Sequence, residues 1–442
     1  MGLTKNAMFV EAAIKRRGGI AVMAKSLTPS TEGSSVVFDS ATEPTTYRNL
    51  KQKREPYSHS LSVVNDHITV KQELIDDASA AYEEIAQLLT SKLGWPPEAI
   101  RIFPQGSAST KTLIRTLGNQ KFDIDAVCEV DISKVEARDP MAFFDEIGMA
   151  LDGLDIEPRR RCWTVKMIDQ RFYLEFTPSV PLTTVPLTER QHRGLKQSEQ
   201  EFVTTALAVV DRPSENWKTS NPAGIRDWVN RAAYKSIVLS PVVEAYDSVR
   251  ASIDPIEKQS VEIEETLRVA IRLFKRHRDM CVARGHLEFE TQPISIILVT
   301  LLTRCYEGLA ELIQEGVRPP FVHVVDALIA IADLLPEMIP QNPDWGYYLP
   351  NPTVVDENFA ERWNTDDGER AEAFQIWCGL LQADLAAIAA LTDSKKIMQK
   401  TLEVFGCTNA STGSNGTGGG NNPGPRVVPS APAPAPRTSG LA

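Results

Sequence analysis

Two aspartates one residue apart, Asp123 and Asp125, stand in the apolar run FDIDAVCEVDI (122–132), which alternates like a strand. Residues two apart on a strand share a face, so both carboxylates project together. Neighbouring like charges raise each other's pKa unless a cation joins them. Ligands that are all oxygen favour a hard ion, Mg²⁺ or Mn²⁺. A third acid, Glu175, sits mid-strand in RFYLEFT (171–177), between Leu174 and Phe176, where an acid is out of place by β-propensity. Three such acids on neighbouring strands would cradle two metal ions, which can hold the attacking oxygen and the leaving phosphate oxygen of a nucleotidyl transfer. Upstream, Gln105-Gly106-Ser107 reads as a turn. Gly106 admits a phosphate close to the backbone, and Ser107 and the following amides can hydrogen-bond its oxygens. Each part has a plainer reading alone: a polar strand face, an ordinary turn, an acid paired with an arginine. Their order along the chain points to a metal-dependent nucleotidyltransferase.

These residues need a frame. Residues 65–93 carry apolar positions at helical spacing and predict one long helix, ended by Gly94-Trp95-Pro96-Pro97. A strand is expected over 99–103, a short helix over 108–117, a helix over 140–152, and strands over 159–166 and 171–177. This makes residues 63–200 an α+β nucleotidyltransferase core with a mixed, antiparallel-leaning sheet, the long helix bracing it against a second, helical lobe. From residue 201 to 406 the pattern is helical, over 225–240, 241–252, 257–283, 293–315, 320–334 and 370–405, with a Pro/Asn-rich link at 335–357. The polar Ser/Thr-rich stretch 24–62 reads as loop, so 1–62 is expected to be a flexible segment. Residues 407–442 collapse to Gly, Ser, Asn, Pro and Ala and cannot bury a core.

Composition narrows the partners. The chain of 442 residues is too long for one ordinary core, which favours a bilobal molecule. A net charge of −11 argues against coating polynucleotide by bulk electrostatics but not against a local site for a small anion. Six scattered cysteines with no C-x-x-C pair predict reduced thiols. No apolar run is long enough for a membrane span, and no signal peptide or myristoylation pattern is legible, so a cytoplasmic location is expected. Residues 1–22 differ from the rest, and Met23 is an alternative start.

Four further stretches carry a resemblance. FYLEFTPSVP, SNPAGIRDWV (220–229), LFKRHRDMC (273–281) with PISIILVTLL (293–302), and LPNPTVVDENFAERW (349–363) are, with the Gly-Ser turn and the Asp-x-Asp strand, similar to the CD-NTase (cGAS/DncV-like) branch of the polymerase-β-type nucleotidyltransferases. These are bacterial cyclic-oligonucleotide synthases of CBASS antiphage systems. The resemblance spans roughly residues 60–405. It departs in two places: a slightly long spacer between Ser107 and Asp123, and a glutamate as third acid where aspartate is common.

The resemblance implies a polymerase-β-like lobe followed by a PAP/OAS-like helical lobe. Gln105, Gly106 and Ser107 would hold the donor triphosphate. Asp123, Asp125 and Glu175 would bind two Mg²⁺, with Mn²⁺ as a substitute. Lys275 would reach a phosphate and Ser295 would assist, although KRHR also reads as a solvated basic helix face and Ser295 as a packing residue. His277 reads as a surface residue, and Trp228 and Trp363 as core. The substrates would be ATP and other nucleoside triphosphates, and the product would act on a downstream effector. The tail resembles those joined through the C-terminus, here Ala442, by a ubiquitin-ligase-like partner; an idle tail is the alternative. A template-independent RNA- or tRNA-modifying transferase and a nucleotide-binding module without catalysis are the competing functions.

Overall fold

The structure, a computed structural model, describes residues 2–18, 45–118, 120–133, 139–167, 170–239 and 256–408. The expected helix at 241–252, Met23 and the tail with Ala442 lie outside the described residues. In chain order the elements are helices α1 (Lys5–Arg16), α2 (Thr45–Ile68) and α3 (Gln72–Leu93), strand β1 (Ile100–Pro104), the one-turn helix α4 (Gly106–Ser109), β2 (Phe122–Val130), α5 (Pro140–Ala150), β3 (Asp155–Pro158), β4 (Trp163–Lys166), β5 (Phe172–Pro181), α6 (Leu187–His192), β6 (Leu207–Asp211) and β7 (Asn216–Ser220). Helices α7 (Pro222–Ala233), α8 (Thr266–Ala283), α9 (Ser295–Gln314), α10 (Val324–Leu334), α11 (Glu369–Ala389) and α12 (Ser394–Val404) complete the chain order.

Two large hydrophobic cores organise the described residues, with a small third cluster of Phe103, Val127, Leu207, Val209 and Ala223. The first joins α3, α5 and one face of a seven-stranded sheet, through residues such as Ile75, Tyr82, Phe143, Ile124, Cys128, Leu174 and Phe176. The second is helical and draws on α1, α2 and α7 to α12, with Trp228, Phe274, Leu301, Trp363 and Trp377 inside it. The protein is thus α+β and bilobal. The sheet order is β1-β2-β5-β4-β3, with β6 beside β5 and β7 beside β6. Every pairing is antiparallel except β2 with β5.

Several expectations need correction. The helix expected at 65–93 is two helices, α2 and α3, separated at Thr69–Lys71. Ile68 packs in the helical core and Val70 in the sheet core, so the chain changes lobe between them. Residues 45–62 are helical rather than loop. Nor is the N-terminal stretch loose throughout. Helix α1 lies so close to α9 that a Cβ on Gly308 would sit 2.5 Å from Val10 and 2.7 Å from the Asn6 carbonyl oxygen. The Thr4 amide donates to Glu311 at 2.7 Å, and Arg16 to the Glu337 carbonyl at 2.8 Å. The helix expected over 108–117 ends after Ser109, and the helix expected over 370–405 is interrupted between α11 and α12. All six cysteines are free and buried.

Asp211, at the end of β6, ties the β3–β4 turn to the sheet. It accepts from Arg160 Nε at 2.8 Å, Arg161 Nε at 2.9 Å and Ser214 Oγ at 2.8 Å. Burial pushes its carboxyl up, but the hydrogen bonds from Arg160, Ser214 and Arg161 outweigh burial and hold it at about 2. A depressed carboxyl stabilises the fold above its unfolded pKa, and that contribution disappears as pH falls from about 4 towards 2. Asp211→Asn is therefore expected to cost about 1–2 kcal/mol at pH 7 and almost nothing near pH 2. Denaturant titrations at the two pH values check this; an equal loss at both would contradict it.

Candidate active site

Strand β2 places Asp123 and Asp125 on one face of the sheet, while Ile124 and Ala126 enter the sheet core on the other. The parallel pairing sets Asp125 directly opposite Glu175 and Asp123 opposite Tyr173. The alternation thus carries three acids onto one patch. Glu175 is buried, at 4% exposure. Burial is the main force on the aspartates. It raises Asp123 to about 7, against a hydrogen bond from Tyr173 and with repulsion from Glu175. Burial likewise raises Asp125 well above the usual carboxylate range, with repulsion from Glu175 and Asp123 added and Lys275 opposing.

Among the described residues no three His, Cys, Asp or Glu side chains converge on one point as a ready metal cage. The donor set nevertheless suits a hard divalent cation. It is all oxygen, it is desolvated, and Glu175 repels both aspartates, an effect that Arg159 and Lys275 offset only in part.

The turn lies against the same strand. Gln105 N donates to the Asp125 carbonyl at 3.0 Å, and buried Gln105 reaches Thr177 Oγ1 with its Nε2 at 3.2 Å. Gly106 has φ +60°, a left-handed conformation that favours glycine. Ser107 is half-buried, and its carbonyl accepts from Thr112 N at 2.9 Å. A small cleft beside the turn is lined by Gln105, Gly106 and Ser109 together with Asn221, Asn351 and Glu357.

Lys275 comes from α8 in the helical lobe. It is buried, at 6% exposure, and donates to the Thr112 carbonyl at 3.0 Å. Burial lowers its pKa to about 8, helped by Arg278, while Asp279 and Asp125 oppose. KRHR is therefore not a solvated face: Arg276, His277 and Arg278 are buried as well. His277, expected at the surface, is 0% exposed, with Nε2 3.1 Å from Asp384 Oδ2. Ser295, the first residue of α9, lies 3.2 Å from Arg278 Nη1 and so reaches the Lys275 neighbourhood through that arginine. Trp228 and Trp363 are core.

Two residues went unread in the sequence. Tyr82 donates to the Asp125 carbonyl at 3.1 Å from α3, and Tyr173 hydrogen-bonds the Asp123 carboxylate. Tyr173 lies two residues before Glu175, on the same strand face, a signal that was legible. Tyr82 has no such signature.

No family model matches the chain. A curated relative, the c-di-GMP synthase of Roseivirga ehrenbergii, is 24% identical over 295 residues, covering 64% of this chain and 67% of the relative. Among solved structures, Escherichia coli CdnC with ATP is 13% identical, covers 80% of this chain and 98% of its own, and gives a TM-score of 0.50. The CD-NTase CdnG of Bradyrhizobium diazoefficiens in complex with GTP is 18% identical, covers 79% and 99%, and gives 0.49. The chain shares the fold of Escherichia coli CdnC, and a curated c-di-GMP synthase is among its sequence relatives.

Proposed function

We propose that this protein is a nucleotidyltransferase that joins ribonucleoside triphosphates into a cyclic di- or trinucleotide messenger, with release of pyrophosphate, in antiphage signalling. The observation that carries the reading is the register of β2 on β5. It sets Asp125 against Glu175, with Asp123 on the same face and the Gln105-Gly106-Ser107 turn bonded to the Asp125 backbone. The fold, the c-di-GMP synthase relative and the neighbour solved with ATP support it.

Asp123, Asp125 and Glu175 would hold two Mg²⁺, or Mn²⁺ in their place. Such ions, when bound, neutralise charge on the transferring phosphate and make a sugar hydroxyl a better nucleophile. Gln105, Gly106 and Ser107 bind the donor triphosphate and orient its α-phosphate towards the acids. Lys275 supplies a positive charge to that triphosphate, and Ser295 acts indirectly, by holding Arg278. The hydroxyl attacks the α-phosphorus, the bond to the β-phosphate oxygen breaks, and pyrophosphate leaves. Asp125 or Glu175 would help take the hydroxyl proton, with activation by the metal the larger effect. The linear product, after a third addition where the ring has three nucleotides, then attacks its own 5′ α-phosphorus with its free hydroxyl, and a further pyrophosphate leaves as the ring closes. The C-terminal residue Ala442 is a candidate for conjugation by a ubiquitin-ligase-like partner.

The test is release of pyrophosphate from pairwise mixtures of the four nucleoside triphosphates, with and without Mg²⁺ or Mn²⁺. Release that requires both nucleotide and metal is expected. Tight nucleotide binding without release under every mixture would sink the reading in favour of a binding module.

A further inference from the structure

The segment after the turn has an unusual source of hydrogen bonds. Beyond Ser109 the chain leaves helical geometry, with Lys111 at φ +58°. Residues 110–116 form no regular element, so some of their carbonyls must find donors elsewhere. Side chains of residues 268–276 supply three of them, and Gln259 bonds the end of the preceding one-turn helix. Gln259 Nε2 donates to Ala108 O at 3.0 Å, Arg268 Nε to Thr110 O at 3.3 Å, Lys275 Nζ to Thr112 O at 3.0 Å, and Arg276 Nη1 to Arg115 O at 3.1 Å. Arg268, Lys275 and Arg276 fall at i, i+7 and i+8, one stripe of α8. Gln259 is 1% exposed and reaches inside the one-turn helix itself.

The turn is therefore held from two sides. The strand that bears the acids holds it through Gln105 N on the Asp125 carbonyl, and the helical lobe holds it through Gln259 on Ala108 and Arg268 on Thr110. We infer that Gln259 and Arg268 are positioning residues for donor binding: the helical lobe fixes where the phosphate-binding turn stands relative to the acids. The inference rests on the proposed use of this turn for a nucleoside triphosphate. Neither residue is assigned contact with the substrate. Their action is to keep the amides of 106–109 in register with Asp125 before the substrate arrives, which removes an ordering cost from binding.

The experiment compares the full chain with Gln259→Met, Arg268→Met and Arg268→Lys. Hydrogen exchange is followed by mass spectrometry over peptides covering 106–112, β2 and β5, and the Kd of a non-hydrolysable ATP analogue is measured with Mg²⁺. The two methionine variants are expected to speed exchange in 106–112 on the order of 10-fold, leave β2 and β5 unchanged, and weaken the analogue on the order of 10-fold, the effect of losing the bond to the turn; Gln259→Met also gives up its bond to the Glu257 carbonyl, and Arg268→Met its bonds to Glu265 and Asn230, none of which touches 106–112. Arg268→Lys, which keeps a charged donor on a similar stem, should recover most of both. Unchanged exchange in 106–112 would overturn the inference. So would faster exchange throughout the helical lobe with an unchanged Kd, because that is a purely structural role. A wild-type protein that binds non-hydrolysable analogues of none of the four ribonucleoside triphosphates would refute the proposed function instead, and the exchange pattern would then decide only whether Gln259 and Arg268 hold the turn.

Discussion

Asp125→Asn should lower nucleotidyl transfer on the order of 10³-fold or more while leaving the protein at least as stable as the wild type. The two effects have opposite signs for one reason. Asp125 is desolvated opposite Glu175 and beside Asp123, and its charge is disfavoured there. Asparagine keeps the shape and keeps the backbone carbonyl that Gln105 and Tyr82 use. It removes a repelling charge, so the folded state gains. It also removes the anionic oxygen that a divalent cation needs, and loss of several kcal/mol of transition-state stabilisation corresponds to about three powers of ten in rate. This is the trade-off expected where a site is built for function at the expense of the fold. Steady-state turnover together with thermal melting checks it. A variant within tenfold of wild-type turnover, or one that melts well below it, would contradict the assignment.

The second large effect belongs to Lys275. Lys275→Met should reduce kcat/KM on the order of 10²-fold, most of it in KM, because a buried ammonium beside a phosphate acts as a poorly screened charge. The fold should tolerate the change. Methionine fills a similar volume and removes a desolvated cation, which offsets the hydrogen bond lost at the Thr112 carbonyl. The pH dependence has a defined sign. Burial holds Lys275 near 8, so it is charged below that pH and neutral above it. Nucleotide affinity should therefore fall as pH rises through about 8, and the methionine variant should not show that fall. A wild-type affinity flat from pH 7 to 9 would remove Lys275 from the phosphate site.

Much of the site was legible because it obeys local periodicity. A two-residue repeat puts Asp123 and Asp125 on one face, and an acid inside YLEF is conspicuous. Glu175 was expected on a neighbouring strand, but the direction and register of that pairing were not legible. That β2 runs parallel to β5 with Asp125 against Glu175 is a contact across fifty residues, fixed by how the whole sheet packs over its one core rather than by either strand alone. The break at Thr69–Lys71 was hidden because apolar spacing continues through it. Only the structure shows that Ile68 and Val70 enter different cores. KRHR was ambiguous for a related reason. Its partners include the main-chain carbonyls of Thr112, Arg115, Phe405 and Pro293 and the distant Asp384, and a carbonyl leaves no mark on composition. The short helix expected at 108–117 failed at the same place, where donors from the other lobe replaced helical hydrogen bonds.

The central claim is that the three acids carry out templateless joining of nucleotides into a ring. The most direct measurement incubates the purified protein with all four ribonucleoside triphosphates and Mg²⁺ or Mn²⁺, treats the mixture with phosphatase, and identifies the products by mass spectrometry beside an Asp123→Ala/Asp125→Ala control. The account predicts a phosphatase-resistant cyclic species that is absent from the control. Linear tails, nucleotide added to RNA, or the same product from the control would contradict it.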